Sequence, residues 1–85
     1  MKEFYYQIKD KLGIHARPAG MLVKCAKACK SNITIAKEEK TVNATRLLAV
    51  MGMAVKQGET VRVTVEGENE EQDFKIIQAF FKENL

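Results

Sequence analysis

The sequence predicts an α+β fold, an open-faced two-layer β-sandwich in which a four-stranded antiparallel sheet carries three helices on one face, in the order β-α-β-β-α-β-α. Three observations lead there. Strand-like segments near the start, in the middle and over residues 60–66 alternate apolar with polar or amphipathic side chains, so one sheet face is wet and the other covered, a pattern that suits antiparallel pairing. Two stretches, one after His15 and one after Asn69, repeat apolar residues at helical spacing. A chain of 85 residues, 46% hydrophobic, is enough for one compact domain spanning 1–85 and leaves no room for a second.

Phe4, Tyr6 and Ile8 place the first strand at residues 2–8. A turn through Asp10, Lys11, Leu12 and Gly13 follows, and a helix starts after His15 with Ala19, Leu22, Val23, Ala26 and Cys29 as its buried stripe. Ile33 and Ile35 mark a second strand, which Lys37-Glu38-Glu39-Lys40 turns into a short third one. The segment from Leu47 to Val55 is apolar almost all round and reads as a short helix, closed by Gln57-Gly58. Neither Asn43 nor Thr45 is excluded as its cap; Arg46, immediately before it, is a poor one. Val61, Val63 and Val65 define the last strand. Asn69 with Gln72 three residues on resembles a capping box, Glu70 and Glu71 complement the helix dipole, and Phe74, Ile77 and Phe81 form the stripe of the last helix.

A net charge of +3 favours acidic or phosphorylated partners through long-range steering. The basic residues are dispersed, with no cationic tail to indicate nucleic acid. Cys25 and Cys29 lie within one helical pattern, without the spacing of a zinc site or disulfide framework, and are expected to be reduced thiols of a cytoplasmic protein. Acid follows closely on the start, and no stretch is as long as a membrane span.

Chemistry concentrates in Gly13-Ile14-His15-Ala16-Arg17-Pro18-Ala19. The first amides of a helix have no acceptor within it, and with the positive end of the helix dipole they form an anion site. Here those amides are those of Ala16 and Arg17, directly beyond His15. Pro18 is tolerated in the first turn, where its missing N–H costs no helical bond. Arg17 adds a guanidinium that can fork onto phosphate oxygens. A neutral imidazole is nucleophilic near neutral pH, and the phosphoramidate it forms is a good phosphoryl donor. A histidine before a helix is, taken alone, more often a turn or cap residue than a nucleophile; Arg17 and Pro18 at this spacing raise the functional reading.

The stretch Gly-Ile-His-Ala-Arg-Pro-Ala closely resembles the active-site motif of the HPr family of the sugar phosphotransferase system. Lys40-Thr41-Val42-Asn43, the helix from Leu47 to Gly52 with Met51, and Gly58 before the last strand extend the resemblance over essentially the whole chain. It implies a phosphoryl carrier, not a stand-alone enzyme, that needs no cofactor. His15 would be phosphorylated at Nδ1 by enzyme I, using phosphoenolpyruvate, and would pass the group to sugar-specific enzyme IIA domains. Many members from Gram-positive bacteria carry a serine, the target of a regulatory kinase, just before the second helix. Arg46 stands there in this chain and cannot accept a phosphate.

Helical projection places Arg17, Gly20, Lys24 and Lys27 opposite the buried stripe of the first helix, a basic face with one bare backbone spot. Leu47, Leu48 and Met51 cannot all turn inward together with Val50, Met53 and Ala54 on so short a helix, so part of this apolar surface is expected to be exposed. By the same resemblance, Leu47, Leu48 and Met51 form the apolar part of the surface that meets enzyme I and the enzyme IIA domains, rimmed by Lys24 and Lys27. Met53 is assigned to the core. A monomer is preferred, because a carrier must show its site to successive partners.

Two other classes fit the residues less well. A nucleic-acid-binding α+β module would display stacking aromatics on its open sheet, where only Tyr5 is available. A metal carrier would place soft ligands in the loop after the first strand, and this loop holds no cysteine. A sugar-uptake role and a nitrogen-related phosphotransferase branch use the same imidazole, and the residues do not separate them.

Overall fold

The computed structural model describes residues 1–85. Its elements are β1 (Lys2–Gln7), α1 (Ala16–Ala28), β2 (Asn32–Lys37), β3 (Lys40–Asn43), α2 (Leu47–Gly52), β4 (Thr60–Glu66) and α3 (Glu70–Asn84). The four strands form one sheet in the order β1-β4-β2-β3, and every neighbouring pair is antiparallel. This is the open-faced sandwich the alternation predicts.

Registry explains why the alternation is so clean. Phe4 lies opposite Val63 on one side of β4, and Ile35 lies opposite Val63 on the other. All three are buried, so a row of apolar side chains crosses the sheet toward the helices. Leu22 and Ala26 of α1 and Ile77 and Phe81 of α3 close over that face in one continuous core. The ring of Phe81 meets Phe4 and Tyr6 edge to face, each at 5.6 Å between centroids, which fixes α3 on the β1 side of the sheet. Tyr5, Arg62 and Glu3 occupy the opposite, open face.

Several local expectations are corrected. The first strand stops at Gln7, not at residue 8, although Ile8 stays buried and its amide donates to the Glu59 carbonyl at 2.9 Å. The second helix ends at Gly52, not Val55, because Ala54 turns left-handed at φ 50 and points to solvent. That turn swings Val55 into the core. Neither Asn43 nor Thr45 caps α2: Asn43 Oδ1 accepts from the Thr45 amide at 2.9 Å and from its hydroxyl at 2.6 Å, closing a turn one step too early, and Arg46 takes the cap position without a side-chain bond.

The capping box at Asn69 does not form either. Its side-chain amide donates instead to Asp73 Oδ1 at 3.0 Å, while Glu70 Oε1 accepts from the Gly67 amide at 3.2 Å. The stronger claim on Asn69 comes from a buried charge: Asp73 is 2% exposed, and its other oxygen accepts from the amides of Lys30 and Ser31 at 3.1 and 2.8 Å. The carboxylate thus ties α3 to the connection between α1 and β2. The Ser31 hydroxyl beside it has no partner of good geometry, so the tie rests on the two backbone amides and Asn69.

Burial pushes the Asp73 pKa up, but hydrogen bonds from Ser31, Asn69 and Lys30 outweigh it and hold the carboxyl below its usual range. A lowered folded value means that the stabilisation is complete above the ordinary aspartate pKa of about 4 and fades as pH falls through the lower folded value. Asp73→Ala, which strands the buried Ser31 amide and the part-buried Lys30 amide, is expected to cost about 3 kcal/mol near neutral pH. Thermal unfolding across an acid titration should show that deficit shrinking below about pH 4. Burial, and next the nearby Asp73 charge, raise both thiols, that of Cys29 to about 11, so neither is a ready nucleophile.

Candidate functional site

The turn before α1 is pinned at two consecutive residues. Gly13 has φ 68, and a Cβ on it would lie 2.1 Å from the Val55 carbonyl oxygen, so both the backbone angle and the close approach demand glycine. Ile14 is buried and donates its amide to the same Val55 oxygen at 3.0 Å. The chain is thereby stitched to the segment after α2, and His15 emerges from a fixed point.

His15 is the N-cap of α1, with extended backbone at φ −96 and ψ −176 and no capping bond from its own side chain. Its carbonyl accepts the first helical bond, from Ala19 at 2.9 Å. Ala16 and Arg17 come before that first satisfied amide, and Pro18, which is buried, has no amide to offer. Two backbone donors and the positive end of a thirteen-residue helix therefore lie immediately beyond the imidazole. The imidazole is 35% exposed, reachable but seated. It shares a shallow depression with Asp10, Arg17, Pro18, Met21 and Asn84. Arg17 is exposed and takes part in none of the molecule's ion pairs, which leaves its guanidinium available.

The side chains projected outward on α1 and α2 lie at the surface. Lys24 and Lys27 are exposed on α1, and Gly20 between Arg17 and Lys24 has open space where a Cβ would be. On α2, Leu48 is 84% exposed, Leu47 and Met51 are also exposed, and Val50 with the following Met53 is buried. Ala54, grouped with that inward set, is instead exposed for the reason given above. α1 and α2 pack against each other.

Sequence reasoning missed three residues of this neighbourhood. Met21 is an exposed apolar side chain beside His15, Asn84 arrives from the far end of α3, and Asp10 places Oδ1 3.7 Å from His15 Nε2. Only Asp10 had a local signal: an aspartate two residues before Leu12 is an Asx-turn pattern, and its Oδ1 does accept the Leu12 amide at 2.9 Å. No group of three metal-ligating side chains converges anywhere in the molecule.

Fold and site together define a class: a small open-faced sandwich presenting a single half-exposed histidine at a helix start and, on α2, an exposed apolar patch. The family description "PTS HPr component phosphorylation site" matches residues 2–83. The phosphocarrier protein HPr of Lysinibacillus sphaericus is 43% identical over 98% of this chain and 94% of its own length. Among solved structures, the histidine-containing phosphocarrier protein of Mycoplasma superimposes with a TM-score of 0.92 at 36% identity, covering 96% of this chain and 93% of that one. An HPr dimer from Thermoanaerobacter tengcongensis gives 0.76 at 37% identity over 98% and 95% of the two chains. The chain belongs to the HPr family of the phosphotransferase system.

Proposed function

We propose that this protein is a phosphocarrier that takes a phosphoryl group on His15 Nδ1 from phospho-enzyme I and passes it to enzyme IIA domains during sugar uptake. The observation that carries the reading is the placement of a half-exposed imidazole as the cap of α1, directly ahead of the free Ala16 and Arg17 amides. Those amides and the Arg17 guanidinium supply donors for the three phosphoryl oxygens. An open depression around one imidazole suits a carrier that shows the same site to successive partners.

Leu47, Leu48 and Met51 form the apolar centre of the docking face, with Gly20 permitting close approach and Lys24 and Lys27 supplying charge that speeds transient encounters with acidic partners. Residues 1–85 act as one domain, working as a monomer in the cytoplasm. No helix is long and apolar enough to cross a membrane. Light scattering at working concentration tests the monomer, and a stable dimer mass would contradict it.

Incubation with phosphoenolpyruvate, magnesium and enzyme I should add one phosphoryl mass that mild acid removes. No adduct, or an acid-stable one, would overturn the assignment. Arg17→Ala should fold normally, because the side chain is exposed and unpaired. Losing a charge-assisted hydrogen bond worth about 1.5–3 kcal/mol to the transferring group should slow exchange roughly 10- to 100-fold in a quenched-flow transfer assay.

A further inference from the structure

The imidazole of His15 has a negative neighbour that phosphate binding does not call for. Asp10 Oδ1 lies 3.7 Å from Nε2, longer than a hydrogen bond, so the carboxylate acts on the ring as a charge and not as a direct acceptor. It is held in place from three directions: Oδ1 accepts the Leu12 amide at 2.9 Å, the Asp10 amide donates to the Leu85 carbonyl at 2.9 Å, and the Asp10 carbonyl accepts the Gly13 amide at 2.9 Å. A charge so fixed favours a proton on the ring nitrogen that faces it.

We propose that Asp10 is a positioning residue for phosphoryl transfer, holding the neutral ring in its Nε2–H form so that Nδ1 keeps the free electron pair. The inference rests on the carrier reading above and deepens it. In the transfer step the Nδ1 lone pair forms the new N–P bond while the N–P bond of the donor phosphohistidine breaks, its electron pair returning to the donor nitrogen. The proton on Nε2 stays where it is throughout. As Nδ1 gives up its lone pair the ring becomes more positive, and the nearby carboxylate stabilises that change. During uptake the same proton prevents Nε2 from competing as the acceptor, and in onward transfer the Nδ1–P bond breaks with its electron pair returning to Nδ1 as the new N–P bond forms on the acceptor histidine.

Asp10→Asn separates this role from a purely structural one, since asparagine keeps an oxygen for the Leu12 amide and removes only the charge. Nitrogen-15 NMR of the neutral ring should show the Nε2–H form dominant in the wild type and a shift toward the other tautomer in the variant. Transfer from phospho-enzyme I should slow by about tenfold, the low end for losing an orienting partner, with the thermal midpoint unchanged. Asp10→Glu should restore part of both signals. An Asn variant with wild-type tautomer populations and wild-type rate would overturn the proposal. The carrier reading is tested separately in the same experiment: if the wild type accepts no phosphoryl group, that reading fails, whereas the tautomer measurement still decides whether Asp10 sets the ring.

Discussion

His15→Ala is expected to abolish phosphoryl uptake altogether while leaving the fold almost untouched. No other side chain near the helix start combines nucleophilicity with access to the free amides: Asp10 has its Oδ1 bonded to the Leu12 amide, and the thiols of Cys25 and Cys29 lie farther along α1 with raised pKa values. The imidazole is half-exposed and makes no cap bond, so its removal should change stability by no more than about 0.5 kcal/mol. Mass analysis after incubation with phosphoenolpyruvate and enzyme I should show no adduct on a variant whose melting curve matches the wild type. An acid-labile adduct persisting on His15→Ala would mean that the group sits elsewhere.

Gly13→Ala should produce the largest loss of stability of any conservative change near the site. Two penalties add there. A non-glycine residue at φ 68 costs about 1–2 kcal/mol, and the new methyl would press on a backbone oxygen 2.1 Å away that already accepts the Ile14 amide. Together they should cost roughly 3–4 kcal/mol, a fall in Tm of about 15–25 °C for a domain of this size. Gly58→Ala is the control, because Gly58 is also left-handed at φ 89 but has open space around it. It should lose only the backbone part, about 1–2 kcal/mol. Equal losses at the two positions would show that the approach to Val55 does not anchor the site. Phosphorylation of Gly13→Ala should also be slow under conditions where it is still folded, since the turn that aims His15 must shift.

Much of this layout was legible in the residues because it follows from local rules. Alternation at Phe4, Tyr6 and Ile8 and at Val61, Val63 and Val65 marked strands with one wet face, and the stripe of Ala19, Leu22 and Ala26 marked the face of α1 that is buried. Gly13, His15 and Pro18 marked the start of that helix without any long-range information. What the sequence hid depends on partners distant along the chain. Asn69 carries every local sign of a cap, yet it is claimed by Asp73, whose own role rests on amides 42 and 43 residues away. The early end of α2 turns on Lys37 as well, whose ammonium meets the carbonyls of Met53 and Ala54 at 3.4 and 3.3 Å and Glu59 at 3.0 Å. No periodicity reports such a bridge.

At the site the same division holds. The residues gathered at the helix start, His15, Arg17 and the two free amides, follow from position in sequence. Asp10 and Met21 became part of the site only when the turn folded back beside the helix. The exposed Leu47, Leu48 and Met51 were inferred from crowding on a short helix, and that argument holds even though α2 is shorter than expected, because a shorter helix has still less buried face to share.

The central claim is that one imidazole carries the phosphoryl group. Fragmentation of the enzyme I-treated protein by electron-transfer mass spectrometry, kept at neutral to basic pH to preserve the phosphoramidate, localises the added mass residue by residue. The account predicts that every fragment containing His15 carries it and that no fragment lacking His15 does. A phosphoryl group mapped to Thr45, Ser31 or any other side chain would contradict it.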